Sequence, residues 1–354
     1  MIDFTYDVLP GRVLFGVRSR DQVSAEIDRL RCSRALVLST PGQSHQAKEL
    51  AQKIGQLAAG TFSGAVMHTP VSVSEEAVKA ARAVNADCLV SFGGGSTIGL
   101  GKAIALRTDL PQIVLPTTYA GSEMTPILGQ TVDGKKSTQR TLKVLPEVVV
   151  YDPELTLTLP GQISVTSGIN AVAHAVEALY AKDRNPITSL MAEESIRAFV
   201  HSLPLICANP ANLSARSDAL YGAWLAGSCL GTVGMSLHHK LCHVLGGTFN
   251  LPHAETHTIL LPHVVAYNCD AEPEVMSKIA QAIGAQDAAT GLYAFIQGTG
   301  VKQSLREIGM PEAGIEQAAL LATENAYSNP RKLEIQALDE LIRRAWVGEP
   351  PRLE

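Results

Sequence analysis

The chain has no dense stripe of lysine or arginine: 29 basic against 34 acidic side chains leave a net charge of −5 over 354 residues. Nucleic-acid binding through backbone phosphates needs concentrated positive charge, so this balance argues against it. No apolar run approaches the roughly 18–20 residues needed to cross a bilayer. Residues 1–16 carry Asp3 and Asp7 in place of a basic-then-apolar export pattern, and a cytoplasmic location is the expectation. None of the cysteines at 32, 88, 207, 229, 242 and 269 belongs to a CxxC pair. They read as reduced thiols, five of them small packing residues. Cys242 is set apart by its histidine neighbours. Internal repeats and low-complexity segments are also missing.

What is present is the composition of an ordinary globular protein, 46% hydrophobic. Single cores stop growing at roughly 250–300 residues, so this length predicts two domains, with the boundary near residue 158. Before it, short apolar runs at 35–38, 87–92, 112–116 and 147–151 alternate with amphipathic stretches at 23–30, 46–57 and 74–84. That alternation predicts βαβ units on a parallel sheet, with ligands beyond the carboxyl ends of the strands. After it, helical spacing takes over at 166–181, 186–208, 215–233, 236–246, 273–283, 291–297, 314–326 and 335–347. The expected fold is therefore an α/β nucleotide-binding domain over 1–158 followed by an all-α domain over 159–354.

Gly93-Gly94-Gly95-Ser96 follows a predicted strand and opens a predicted helix over 97–106. Glycines allow close approach of a pyrophosphate, and helix N-terminal amides attract its charge. Any strand-to-helix turn uses glycine, so this alone is weak evidence. The next strand, however, ends in a second polar loop of small residues, carrying Thr117, Thr118, Gly121 and Ser122. Two such loops after adjacent strands point to a dinucleotide crevice. After the first strand, Ser39-Thr40-Pro41-Gly42 offers no carboxylate for ribose hydroxyls and nothing to repel a 2′-phosphate. NADPH should be accepted beside NADH, with Thr40 at the ribose.

Asn170 and His174 are four residues apart and share one helix face; His239 and His243 share a face of another, and His253 follows a glycine-containing loop. One such histidine is ordinarily a packed or surface residue, as His238 reads here, but the combined spacing aims several ligands at one point. With these residues, the glycine turn, the Pro116-Thr117-Thr118 loop, Ser167-Gly168-Ile169-Asn170 with Glu177, Pro252-His253 and Leu260-Leu261-Pro262-His263, nearly the whole chain resembles the iron-containing alcohol dehydrogenase superfamily. The resemblance implies that His174, His239 and His253 match the three metal-binding histidines, Asn170 the metal-binding aspartate, and His243 the histidine near the nicotinamide.

Asn170 removes a unit of negative charge from that set, which argues against a tightly held ion. Gly99 stands where many relatives carry aspartate. With the strings 238–243 and 251–258, these departures resemble the maleylacetate reductase branch of the superfamily. That branch implies metal-free, NADH- or NADPH-dependent reduction of maleylacetate to 3-oxoadipate in the degradation of aromatic compounds. A carbon–carbon double bond conjugated to a ketone passes its charge to oxygen as an enolate, which hydrogen-bond donors can stabilise without a Lewis acid. His243, His253, His174 and His239 are the expected catalytic residues. Asn170, Lys240, Tyr327 and Arg331 are candidates for binding the substrate. Cys242, between imidazoles at 239 and 243, should react with bulky thiol reagents. The expected partners are a small dicarboxylate and a second copy of the chain, with no nucleic acid and no membrane. The competing readings are a metal-dependent alcohol dehydrogenase of the same superfamily and a catalytically silent NAD(P)H sensor.

Overall fold

The continuous apolar runs become the buried centre of a sheet in the computed structural model, which describes residues 4–132, 135–325 and 327–353. Two units emerge, Val8–Leu159 and Pro160–Glu354, with residues 4–7 grouped with the second; Tyr6 lies near Cys229 of that unit. Asp3 and Ala326, which entered the expectations above, lie outside the described residues.

In the first unit the strands are β1 (Arg12–Phe15), β2 (Ala35–Leu38), β3 (Ala58–Phe62), β4 (Cys88–Gly93), β5 (Gln112–Pro116), β6 (Ile127–Val132), β7 (Lys135–Arg140) and β8 (Val148–Tyr151). Among the described residues, six of them form a wholly parallel sheet in the order β1-β8-β5-β4-β2-β3. The helices α1 (Val23–Arg29), α2 (Ser44–Ile54), α3 (Val71–Ala83) and α4 (Gly95–Thr108) cover its two faces. Ala35 and Val37 point to the core shared with Ile27 and Leu50, Leu36 and Leu38 to the core shared with Val78 and Ile104. Burial on both faces is why these strands read as unbroken apolar runs. Each fully buried leucine or isoleucine there contributes about 1.5–3 kcal/mol over an exposed one.

Two strands of the sheet, β1 and β3, are edge strands and only partly buried, so hydrophobicity does not announce them. The antiparallel hairpin β6–β7 was likewise not foreseen. The chain leaves β2 toward β3 on one side and leaves β4 toward β5 on the other. The carboxyl ends of β2 and β4 are therefore the point where the winding reverses, and a crevice for a ligand opens there.

The second unit is helical: α5 (Gly161–Tyr180), α6 (Pro186–Ala208), α7 (Leu213–Thr232), α8 (Leu237–Phe249), α9 (His253–Asn268), α10 (Pro273–Ile283), α11 (Ala288–Gly298), α12 (Ile315–Thr323) and α13 (Ile335–Val347). Asn185 caps α6 through the amides of Ile187 and Thr188, with Pro186 at the first helical position, where its missing N–H costs nothing. α9 is absent from the expectations. It is buried without interruption from Thr256 to Asn268, so it has no polar stripe, and it carries Pro262 inside it. No helix of the described residues is long and apolar enough to cross a membrane.

Candidate active site

At the reversal point the glycine turn is shaped by close approach. Gly93 has φ +155°, and a Cβ there would meet Thr97 Oγ1 at 2.4 Å; one on Gly94 would meet Thr118 at 2.8 Å. No side chain caps α4, so the amides of Gly95 and Ser96 lack an intrahelical acceptor. Among the described residues, Thr97 Oγ1 and Ser122 Oγ are buried without a hydrogen-bond partner. Thr40 Oγ1 donates to Gln43 Oε1 (3.2 Å), and Gln43 Nε2 donates to Thr117 Oγ1 (3.0 Å). One short chain thus ties the end of β2 to the loop after β5. Bare amides, glycines that no side chain could replace and orphaned hydroxyls together fit a dinucleotide.

Two residues beneath this loop were not foreseen. The Lys102 ammonium, buried in α4, donates to Ser122 O, Thr125 O, Thr125 Oγ1 and Ile127 O at 2.6–2.9 Å. Glu123 accepts from Tyr151 OH at 2.9 Å. Burial drives the Lys102 pKa down and that of Glu123 up, each partly offset by the other's charge. Lys102 therefore pins the loop that carries Ser122. Gly99 also has a local reason: a Cβ there would meet Thr69 Oγ1 at 2.5 Å.

In the second unit α5, α8 and α9 bring the histidines together. Asn170, His174 and Glu177 lie along one stripe of α5, all buried. The His174 and His239 rings stack with centroids 4.9 Å apart, His239 and His243 lie at 6.3 Å, and His243 and His253 stack at 6.3 Å. His243 is exposed and His253 half-buried, whereas His174 and His239 are buried. All four expected catalytic histidines therefore belong to one cluster that grades from surface to core.

Three further members escaped the sequence. Glu177 Oε2 holds His239 Nδ1 at 2.6 Å and accepts from the Ser236 amide, while Oε1 accepts from the His238 amide at 2.7 Å. His257, one turn after His253, is fully buried with its ring 4.3 Å from His253 and 4.9 Å from His239. His238, read as a packing residue, is fully buried and its Nε2 meets His257 Nδ1 at 3.0 Å. The i,i+4 spacing of His253 and His257 was the available signal; it was lost with α9. Burial, and then the neighbouring imidazoles, hold His174, His238 and His257 well below the usual histidine pKa, so all three are neutral.

Asn170 Oδ1, His174 Nδ1, His239 Nε2 and His257 Nε2 are buried without a hydrogen-bond partner among the described residues. These atoms await a polar ligand. Asn170 offers a neutral amide where a carboxylate would add a unit of negative charge, which makes the set a weaker host for a cation. Asn170 Oδ1 and, with its ring proton held toward Glu177, His239 Nε2 are acceptors there, whereas His174 Nδ1 and His257 Nε2 can carry the ring proton and donate to the oxygens of an organic anion.

Of the candidate substrate-binding side chains, Tyr327 and Arg331 have partners within the fold. Tyr327 OH donates to Ala322 O (2.8 Å), so its proton is already engaged. Arg331 lies over the Tyr267 ring at 4.4 Å and donates to Tyr267 O. Lys240 lies 5.9 Å from the Tyr327 ring and is half-buried. Cys242 meets His238 at 3.7 Å, one turn earlier, and at 1% exposure it is closed to bulky reagents.

Comparison with known proteins matches residues 10–153 to the iron-containing alcohol dehydrogenase family and residues 164–346 to the C-terminal domain of the Fe-containing alcohol dehydrogenase family. The chain is 56% identical to the maleylacetate reductase of Sphingobium indicum, over 99% of each chain. It is also 56% identical to that of a Rhizobium species, over 99% of this chain and 100% of the other. It superposes on the crystal structure of maleylacetate reductase from Agrobacterium tumefaciens with a TM-score of 0.96 and 56% identity, over 99% of this chain and 100% of that one.

Proposed function

The chain belongs to the iron-containing alcohol dehydrogenase family, and within it we propose that it reduces maleylacetate to 3-oxoadipate, with NADH or NADPH and without a bound metal, in the degradation of aromatic compounds. The observation that carries this reading is the site around Asn170, where buried donors and acceptors stand ready for a polar ligand with no anionic group among them to anchor an ion. When bound, the nicotinamide supplies the hydride, which a carbon–carbon double bond conjugated to a ketone accepts at the carbon β to that ketone. The charge then rests on the substrate's oxygen as an enolate. Each well-placed donor to such an oxyanion is worth about 3–4 kcal/mol.

His253 and His243, at the exposed end of the cluster, exchange protons with solvent and serve as the proton donor and oxyanion partner. Glu177 keeps a proton on His239 Nδ1 and orients that ring. Lys240 is the remaining cation for a substrate carboxylate. A second copy of the chain is part of this proposal, supported by the open edge of β1 with Phe15 and Val17 exposed; sedimentation reports it. Cytoplasmic residence is supported by the absence of disulfides among the described residues.

The test is NADH oxidation with maleylacetate and, in parallel, with simple aldehydes, after prolonged chelation. Turnover of maleylacetate alone, undiminished by chelation, is expected. Turnover restored only by Zn²⁺ or Fe²⁺, or confined to aldehydes, would establish the metal-dependent alternative. NADH binding without turnover of either would establish a sensor.

A further inference from the structure

At the buried end of the cluster sit His238, Cys242 and His257, exposed by 0, 1 and 0%. His238 and Cys242 are one turn apart on α8, and His257 faces them from α9. His238 Nε2 is 3.0 Å from His257 Nδ1 and 3.7 Å from Cys242 Sγ, and the three ligand atoms all lie within 4.8 Å of one another. Metal–nitrogen bonds of about 2.0–2.1 Å and metal–sulfur bonds of about 2.3 Å, opened to tetrahedral or trigonal angles, put ligand atoms about 3.3–3.8 Å apart. The two measured separations, 3.0 and 3.7 Å, lie within a few tenths of an ångström of that range, and the third is within 4.8 Å, so small side-chain shifts bring the trio to a coordination shell.

We propose that His238, Cys242 and His257 form a three-coordinate site for a monovalent thiophilic cation, copper(I) foremost, and that its occupation arrests the reductase. The choice of ion follows from charge and softness. Thiolate selects soft ions. One thiolate and two neutral imidazoles around a monovalent ion make a complex of zero net charge, which a fully buried site accepts without an unpaired charge; a divalent ion would leave one. Binding replaces the Cys242 S–H bond by an S–Cu bond and sends the proton to solvent, with no change in oxidation state.

The second trio, Cys32, Asp87 and Cys88, is a poorer host. The Asp87 carboxylate already accepts from the Ser33 and Arg34 amides and the Ser33 hydroxyl, and two thiolates around the same ion would leave a buried negative charge.

The consequence for activity rests on the function proposed above; the binding does not. An ion on His257 Nδ1 fixes that ring's proton on Nε2, in the midst of the rings of His253 and His239. Every tautomer that needs Nε2 as an acceptor is then lost.

Anaerobic titration with copper(I) buffered by bicinchoninate tests this, on wild type, Cys242→Ser, and Cys32→Ser with Cys88→Ser. Wild type should take up one copper per chain with an X-ray absorption shell of two nitrogens and one sulfur, and NADH oxidation should fall with occupancy. Cys242→Ser should bind more than about 100-fold more weakly, since losing a ligand costs more than losing a group that supports one, and should keep its activity in copper. The paired Cys32 and Cys88 replacements should behave as wild type. A two-sulfur shell, or binding unchanged in Cys242→Ser, overturns the site; should that variant not fold, the wild-type shell alone decides. The expected shell with full activity overturns the inhibition. Failure of the copper-free enzyme to reduce maleylacetate falls on the proposed reaction instead.

Discussion

Glu177 and His239 are joined at 2.6 Å between Oε2 and Nδ1, and the carboxylate is itself fixed by the amides of Ser236 and His238. The ring is therefore set by the start of α8 as well as by α5. Glu177→Gln keeps the shape but loses the charge and an acceptor. It should lower kcat by about 10–100-fold and move the pH profile of kcat/KM, while leaving an amide underpaired at a cost of about 1–3 kcal/mol. Steady-state kinetics across pH, alongside thermal melts, check both. An unchanged kcat in folded protein would show that the pair only holds the helices together.

The exposed end of the cluster should behave differently from its interior. His243→Ala and His253→Ala should lower kcat and kcat/KM together, as expected of donors that act in the transition state, by unequal amounts. Complete and equal loss on replacing Asn170, His174, His239 and His253 one by one would indicate a metal site after all.

Asn170→Ala should be mild, because the amide holds no ion. Asn170→Asp should raise KM for maleylacetate, since it puts a carboxylate where the substrate brings two. A KM at or below that of wild type in metal-free buffer would contradict this.

Thr40→Asp addresses the cofactor. A carboxylate at the end of β2 would face a 2′-phosphate, so KM for NADPH should rise while that for NADH stays nearly level. Equal losses for both would place Thr40 away from the ribose, or indicate that the Thr40–Gln43–Thr117 chain had been broken.

Stability should be sensitive to mild acid. His174, His238, His257 and His263 all have lowered pKa values in the fold, His263 at about 4, with burial the leading cause. Below about pH 6.5 the unfolded chain binds protons on these four that the native state refuses. Glu123, raised to about 7, acts in the opposite sense between its unfolded pKa of 4.5 and 7, because the native state then holds the extra proton. The histidines outnumber the glutamate, so unfolding free energy should fall as pH drops below about 6.5. Urea midpoints at several pH values measure this; a flat curve would mean that the native site protonates.

Central strands were legible because burial on both faces writes itself as unbroken apolar runs, as at Ala35–Leu38 and Gln112–Pro116. Amphipathic helices were legible for the complementary reason. β1 and β3 were not, since partly exposed edge strands have no apolar run to show. α9 was lost because full burial erases periodicity and Pro262 reads as a break. With it went His257 and the reason for His238. Glu177 stood in a quoted motif, but a side chain that works by holding another gives no sign of it in the sequence. Conversely, the contacts by which Tyr327 and Arg331 tie loop to helix give no sign in the sequence.

Because α9 has no solvent face from Thr256 onward, its burial and the closing of the unit's core are one event. A chain in which that core is still open has two of the three helical walls of the histidine cluster, with His253 and His257 unplaced. A chain with that core still open should therefore lack even weak activity. Amide protons along α9 should accordingly be among the slowest in the unit to exchange, a pattern that hydrogen exchange would report.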